Sequence, residues 1–299
     1  SKEELETWKK AGKIAGECLL YGKGLIKQGI TVREVCEKVE YKINQLGGKP
    51  AFPVQISLNS VAAHYCPGHS DDTVFKEGDI AKIDVGVHID GCIGDCACSV
   101  DLSNDKRHQK LIDASKDALE NALKMVKPEI KVCDIGKEIG RTIREKGFSP
   151  VINLSGHGLS KYNIHCSPSI PNYENSDHTV LEKGMFIAIE PFASTGSGKI
   201  MEQESGEIFR LADDSRPVRS LFAREILKEI KKYNGLPFTT RWLTKKFPLV
   251  KVNLALREMN NSGMIRVYPP LPDTEKGLIS QAEHSVYVDD EPIILTKLN

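Results

Sequence analysis

The chain has 299 residues, enough for one large domain or two of ordinary size, with the 40% apolar and 27% charged content of a globular protein. Its 41 basic residues balance 41 acidic ones, which excludes a global drive toward nucleic acid or an anionic membrane. No apolar run reaches the roughly eighteen residues that span a bilayer, and the charged N-terminal stretch lacks a signal-peptide core, so no membrane span and a cytoplasmic location are expected.

In chain order, the first feature is a repeat. Lys27–Pro50 recurs without a gap as Lys127–Pro150. Lys27, Ile30, Val32, Ile43, Gly47 and Pro50 return as Lys127, Ile130, Val132, Ile143, Gly147 and Pro150, and Val35 and Val39 become Ile135 and Ile139. The apolar spacing is helical. Thr31 and Glu34 read as a capping box; the second copy keeps an acid, Asp134, but has Lys131 at the cap. Gly47 and Gly147 stand where a helix C-terminus wants them. After each copy come an apolar run, a histidine (His64, His157) and later acid-bearing strands. Two related αβ halves joined face to face are expected, with a small-molecule pocket at the seam. Two similar amphipathic helices arising by chance is the alternative.

The run Lys82-Ile-Asp-Val-Gly-Val-His-Ile-Asp-Gly-Cys-Ile-Gly-Asp95 reads as a hairpin. Its apolar residues alternate, and Asp90-Gly91 is a strong two-residue turn signal. That turn sets Ile89 opposite Cys92 and Gly86 opposite Asp95, with Asp84 diagonal to Asp95 on the same face and open space over Gly86. Two carboxylates so placed repel unless a cation lies between them; two solvated aspartates on a half-buried hairpin is the other reading. Cys92, Cys96 and Cys98 fall on the opposite face, as small buried hydrophobes among eight free thiols. A zinc site from them, or from His64, Cys66 and His69, lacks paired CxxC spacing.

Farther along, His157 follows the apolar run 151–154, and Glu190 ends Phe186-Ile-Ala-Ile189 and precedes Pro191, which holds it extended. Helices are expected at Ser220–Tyr233, Thr240–Lys246 and Val252–Asn260, and a strand at Met264–Tyr268, a winged-helix-like insert. Between Ser205 and Lys276, fourteen Lys and Arg stand against eight Asp and Glu. A solvated face explains that excess as well as an RNA-rich docking surface does. Glu283 then lies in the strand-like run 278–288.

Each acid alone reads as a strand-end residue and each histidine alone as a satisfied polar group. Together, Asp84, Asp95, His157, Glu190 and Glu283 put four carboxylates and an imidazole beside apolar strands, where charges are rarely left without a partner. A pair of divalent metal ions would account for all five. The donor set is hard and oxygen-rich, suited to manganese, iron or cobalt, with zinc left open.

With these residues in place, the chain resembles the type 2 methionine aminopeptidases, in an archaeal-like form without a charged N-terminal extension. The resemblance runs end to end. Its blocks are Gly47-Gly-Lys-Pro-Ala-Phe-Pro53, Ala62-Ala-His-Tyr65, Lys82–Gly91, Asn153-Leu-Ser-Gly-His157, Phe186-Ile-Ala-Ile-Glu-Pro-Phe192 and Gln281-Ala-Glu-His284. Between Tyr162 and Asn172 only Ile164-His165 and Ser169-Ile-Pro-Asn172 match well. The resemblance implies an α+β pita-bread fold, with pseudo-twofold αβ halves around an antiparallel sheet and an inserted winged-helix-like subdomain. The boundaries that follow are a catalytic domain at 1–205, with halves of about 1–108 and 109–205, an insert at 206–272, and return strands at 273–299.

The implied chemistry is removal of the N-terminal methionine from nascent peptides, before a small second residue, by two divalent ions. Asp84 chelates one ion, Asp95 and Glu283 bridge both, and His157 and Glu190 complete the second. Glu190 also serves as proton shuttle, His64 and His165 contact substrate or steady the intermediate, and Phe52 and Ile164 belong to the methionine pocket. The absence of an initiator methionine before Ser1 agrees with such an enzyme and equally with a sequence that starts late. A monomer is expected. The rivals are an X-Pro dipeptidase or aminopeptidase P, which carries a separate N-terminal domain that this chain has no room for, and a non-catalytic pita-bread protein that binds peptide or RNA, whose relatives lose ligands.

Overall fold

The computed structural model describes residues 2–298, so the reading that rests on Ser1 lies outside the described residues. The first half runs α1 (Lys2–Leu25), α2 (Val32–Gln45), β1 (Lys49–Pro50), β2 (Gln55–Leu58), β3 (Ile80–Ile89) and β4 (Cys92–Asp101). The second runs α3 (Gln109–Met125), α4 (Val132–Glu145), β5 (Ser149–Pro150), β6 (Ser155–Ser160), β7 (Asn163–Pro171), β8 (Phe186–Ile189) and β9 (Phe192–Ser194). The insert follows as β10 (Ile208–Leu211), α5 (Leu221–Lys231), β11 (Phe238–Thr239), α6 (Thr240–Leu243), α7 (Leu249–Asn261) and β12 (Ile265–Tyr268). β13 (Ile279–Gln281), β14 (Glu283–Tyr287) and β15 (Ile293–Ile294) return to the main body.

The repeat is a repeat in space. Val32, Val35, Val39 and Ile43 on α2, and Val132, Ile135, Ile139 and Ile143 on α4, are all fully buried, each stripe against its own half of the sheet. Both helices end at a glycine in the left-handed region, with φ of 84° at Gly47 and 85° at Gly147. Their starts differ. Thr31 Oγ1 accepts the Glu34 N–H at 3.1 Å, whereas Lys131 makes no side-chain cap. Residues before each helix pair with a later segment, Thr31 with Val74 and Lys131 with Val180. Ten residues beyond those bridges lie Asp84 in one half and Glu190 in the other, so the two acids occupy equivalent positions.

The main sheet has nine strands in the order β1-β3-β4-β14-β8-β6-β7, with β2 also on β3 and β15 on β14. The halves therefore meet edge to edge where β4 pairs with β14, and not face to face as the sequence suggested. The β3–β4 register is the one the Asp90-Gly91 turn dictates: Ile89 opposite Cys92, Gly86 opposite Asp95. Asp90 and Gly91 take φ of 49° and 86°, the pair of positive values a type I′ turn needs. β6 and β7 are less regular, with register shifts on both sides of Gly158.

The insert has its own core of Ile226, Ile230, Phe238, Val252, Leu256 and Met259 and a three-stranded sheet, β11-β10-β12. The expected helices and the strand at 265–268 are present within a few residues; β10 and β11 were not expected. Arg241, counted in the basic excess, is buried and clamps the insert to the first half. Its guanidinium donates to both Glu40 oxygens at 2.9 and 3.1 Å, and its Nε donates to Pro67 O at 2.8 Å. Trp242 Nε1 adds a bond to Glu40 at 3.0 Å, and Glu40 accepts the Val54 N–H at 3.3 Å.

The last residues brace β14. Leu295 N–H donates to Ser285 O at 2.9 Å, and Thr296 Oγ1 accepts the Ser285 N–H at 3.2 Å and lies 2.8 Å from His284 Nδ1. A Cβ at Gly12 of α1 would stand 2.4 Å from Leu295 O, so α1 can close over this strand only with glycine there.

Candidate metal centre

The nine residues singled out from the sequence, Phe52, His64, Asp84, Asp95, His157, Ile164, His165, Glu190 and Glu283, line one cavity of about 210 Å³. The sheet explains how residues two hundred positions apart arrive there. Asp84 and Glu283 both lie opposite Ala97, from its two sides, across three adjacent strands. Asp95 is two residues away on the same face, and its backbone is held from β14 by Ser285, whose Oγ accepts the Asp95 N–H at 2.8 Å and donates to Asp95 O at 2.7 Å. His157 pairs with Ala188 on β8, and Glu190 follows the end of that strand. The space over Gly86 is not open: a Cβ there would sit 2.2 Å from the Phe52 ring, so glycine is needed for Phe52 to reach the cavity wall.

Ligand atoms of Asp95, His157 and Glu283 all lie within 4.8 Å of one another. His157 Nε2 is 3.4 Å from Glu190 Oε1 and 3.9 Å from Asp95 Oδ2. Its Nδ1 lies 3.3 Å from Gly158 O, a carbonyl that can only accept; the proton therefore sits on Nδ1 and the Nε2 lone pair faces the carboxylates. Asp84 Oδ1 and Asp95 Oδ1 are buried without a hydrogen-bond partner. Buried polar atoms are normally satisfied, and two orphaned carboxylate oxygens side by side are what a hard divalent cation would satisfy. The residues present fit the metal ions.

The electrostatics follow from crowding. Burial pushes Asp84 up to about 7. Burial, then repulsion among the acids, pushes Asp95, Glu190 and Glu283 well above the usual carboxylate range. Burial, and then the neighbouring His165, lowers His157 to about 3. The imidazoles are thus neutral at physiological pH, and a bound cation would displace protons from the carboxylates.

His64 and His165 flank this cluster. His64 holds a strained φ of 68° because its N–H donates to Gln55 Oε1 at 2.8 Å, and Gln55 is paired with Asp84 across β2–β3. Burial and His165 lower its pKa to about 4. His165 stands exposed at the cavity mouth, its ring 4.5 Å from that of His157. Phe52 and Ile164 share an apolar cluster with Trp8 and Ile93. The sequence reading missed Tyr268 and Ile208, which the insert's sheet brings to the cavity, and Gln281, whose Nε2 approaches Glu190 Oε2 at 3.5 Å. Only Gln281 had a signal, its place two residues before Glu283.

A model of metallopeptidase family M24 matches residues 6–215, reaching past the first strand of the insert. The methionine aminopeptidase of Thermococcus onnurineus (strain NA1) is 45% identical over 296 residues, 98% of this chain and 99% of that protein. The methionine aminopeptidase of Archaeoglobus fulgidus is 46% identical over 287 residues, 96% of each chain. Among solved structures, the methionine aminopeptidase from Thermotoga maritima has a TM-score of 0.73 at 26% identity, covering 100% of this chain and 98% of that one.

Proposed function

From the premise that this chain belongs to metallopeptidase family M24, we propose that the buried acid–imidazole cluster is its dinuclear catalytic centre. The protein is a metal-dependent methionyl aminopeptidase that removes the N-terminal methionine of nascent peptides. The observation that carries the site assignment is the convergence of five ligand-type side chains on one cavity in which two carboxylate oxygens have no partner.

In this reading two divalent ions would be held by Asp84, Asp95, His157, Glu190 and Glu283, with Asp95 and Glu283 shared between them. Manganese, iron, cobalt and zinc all suit the donors. When bound, the two ions supply Lewis acidity, which lowers the pKa of water and polarises the scissile carbonyl. Glu190, at the end of β8 and open to the cavity, carries the proton to the leaving amine. Neutral His64 and His165 donate hydrogen bonds toward the oxyanion that develops in the transition state. Phe52 and Ile164 hold the methionine side chain and keep water from it.

We assign residues 1–205 and 273–299 to the catalytic body and 206–272 to the insert, and place a monomeric enzyme in the cytoplasm. Docking of the insert on an RNA-rich surface such as the ribosome is supported by its charge excess alone. Part of that excess is spent internally, since Lys231 pairs with Asp214 at 3.0 Å and Lys232 with Glu229 at 2.7 Å. Cosedimentation with ribosomes that is unchanged by Lys231→Glu/Lys232→Glu would remove the docking proposal.

The deciding assay is methionine release from Met-Ala-Ser beside Ala-Pro-Ala, after chelation and again with manganese or cobalt restored. Metal-restored release of methionine alone is expected. Cleavage of Ala-Pro-Ala alone would move the protein to the prolidase branch, and cleavage of neither by metal-loaded protein would make the site vestigial.

A further inference from the structure

The insert's sheet carries two charges that the reaction described above does not use. Ile208 and Tyr268 lie opposite each other in the β10–β12 ladder, and both line the cavity. Side chains alternate along a strand, so Arg210 and Arg266, also opposite each other, share that face two residues farther out, about 7 Å along the strands. Like charges in directly opposed positions repel. Among the described residues, neither guanidinium is ion-paired with a carboxylate, and Arg210 Nε is buried with no hydrogen-bond partner. Arg266 lies over the Tyr268 ring at 5.2 Å, and that ring is 5.7 Å from His64 and 6.4 Å from His165. The pair thus borders the mouth at which His165 is exposed.

Two opposed guanidiniums, one with a buried N–H that has no partner in the chain, present donors that an anion from outside the chain would satisfy. A peptide whose first residue occupies the cavity would extend past its mouth, where His165 is exposed. An extended peptide advances about 3.3 Å per residue, so its third residue comes abreast of the arginines when its first lies beside Tyr268. We propose that Arg210 and Arg266 form a subsite for an acidic side chain at the third position of the substrate. The fork geometry of arginine suits a carboxylate held by paired N–H donors. The inference rests on the aminopeptidase reading.

The test uses the metal-restored enzyme and C-terminally amidated peptides Met-Ala-Asp-Ser-Gly, Met-Ala-Asn-Ser-Gly and Met-Ala-Lys-Ser-Gly, so that no terminal carboxylate competes. The Asp peptide should exceed the Asn peptide in kcat/KM by about five- to tenfold, the worth of a charge-assisted bond partly open to water. Arg210→Gln and Arg266→Gln should each move that ratio toward one. Arg266→Glu, at an exposed position that tolerates the change, should favour the Lys peptide instead, an inversion no loss of folding produces. Equal rates on the three peptides, or a ratio that survives both Gln variants, would overturn the inference and leave the aminopeptidase reading intact. No methionine released from any of them would overturn both. Equal rates with competitive inhibition by oligoribonucleotide would give the arginines to RNA phosphate and also overturn it.

Discussion

The two halves of the molecule start from the same αβ unit and put it to different uses. Asp84 and Glu190 are equivalent positions, yet the first half turns straight into a regular ten-residue hairpin that also delivers Asp95. The second half folds back through the shifted ladder of β6 and β7, which re-aims its side chains and delivers an imidazole. Glu40 and Gly140 mark a second divergence. The first half places an acid on its helix to receive Arg241 of the insert, whereas a Cβ at Gly140 would already stand 3.2 Å from Tyr173 Cα. Duplication thus provides the frame and the matched pair of acids, and the departures from symmetry provide the chemistry and the anchor for the insert.

The comparison breaks most severely at the seam. Glu283→Gln and Asp95→Asn should each lower kcat by at least about a thousandfold, a loss of several kcal/mol of transition-state stabilisation, with most of both ions lost on metal analysis. Asp84→Asn and Glu190→Gln, at equivalent positions, should behave alike and each lower the stoichiometry from two ions toward one. Unequal metal contents in that pair would show that the pseudo-symmetry stops short of the centre. Next in size is the clamp. Glu40→Gln leaves buried Arg241 with only the looser carboxylate of Glu37, 3.9 Å away, and should cost about 3 kcal/mol in denaturant unfolding.

The titration of the crowded acids gives a smaller effect. An unfolded aspartate loses its proton near 3.8 and folded Asp84 near 7, so the stability that its protonation contributes is present below 3.8 and lost as pH rises through 7. His64 and His165, held near 4, and His157, near 3, act in the opposite direction. Their contribution is present above 6.5 and lost as pH falls through about 4. Between pH 6.5 and 8 these histidines no longer contribute, and the crowded acids do. The melting temperature of the chelated protein should fall across that window, and with manganese bound it should not. The smallest effects are the caps: Thr31→Ala should destabilise by about 1 kcal/mol, and Lys131→Thr, which would restore the missing cap to α4, should stabilise by about 0.5–1 kcal/mol.

Local chemistry was legible in the sequence. Asp90-Gly91 fixed the hairpin register, because a two-residue turn leaves only one pairing. The helical repeat stood out because its offset is constant from Lys27 to Pro50. What depended on long-range packing was not legible. Intervening loops of different length shift the offset before Asp84 and Glu190, which hides their equivalence. The strands β10 and β11 are two to four residues long and exist only by pairing with each other and β12, so no periodicity announced them, and Tyr268 and Ile208 went unnoticed with them. Phe52 fills the space over Gly86 from a separate loop. Arg241 looked like one more surface cation because its partner, Glu40, lies two hundred residues earlier.

The brace on β14 has a consequence in time. Glu283 is set by a strand that the backbone at 293–296 holds in place, and α1, far earlier in the chain, closes over those same residues. A growing chain that already carries both aspartates, His157 and Glu190 still has an open centre until residue 296 has left the ribosome. The metal centre is thus among the last parts of the molecule to be completed, because the segment that sets Glu283 is braced from the far end of the described chain.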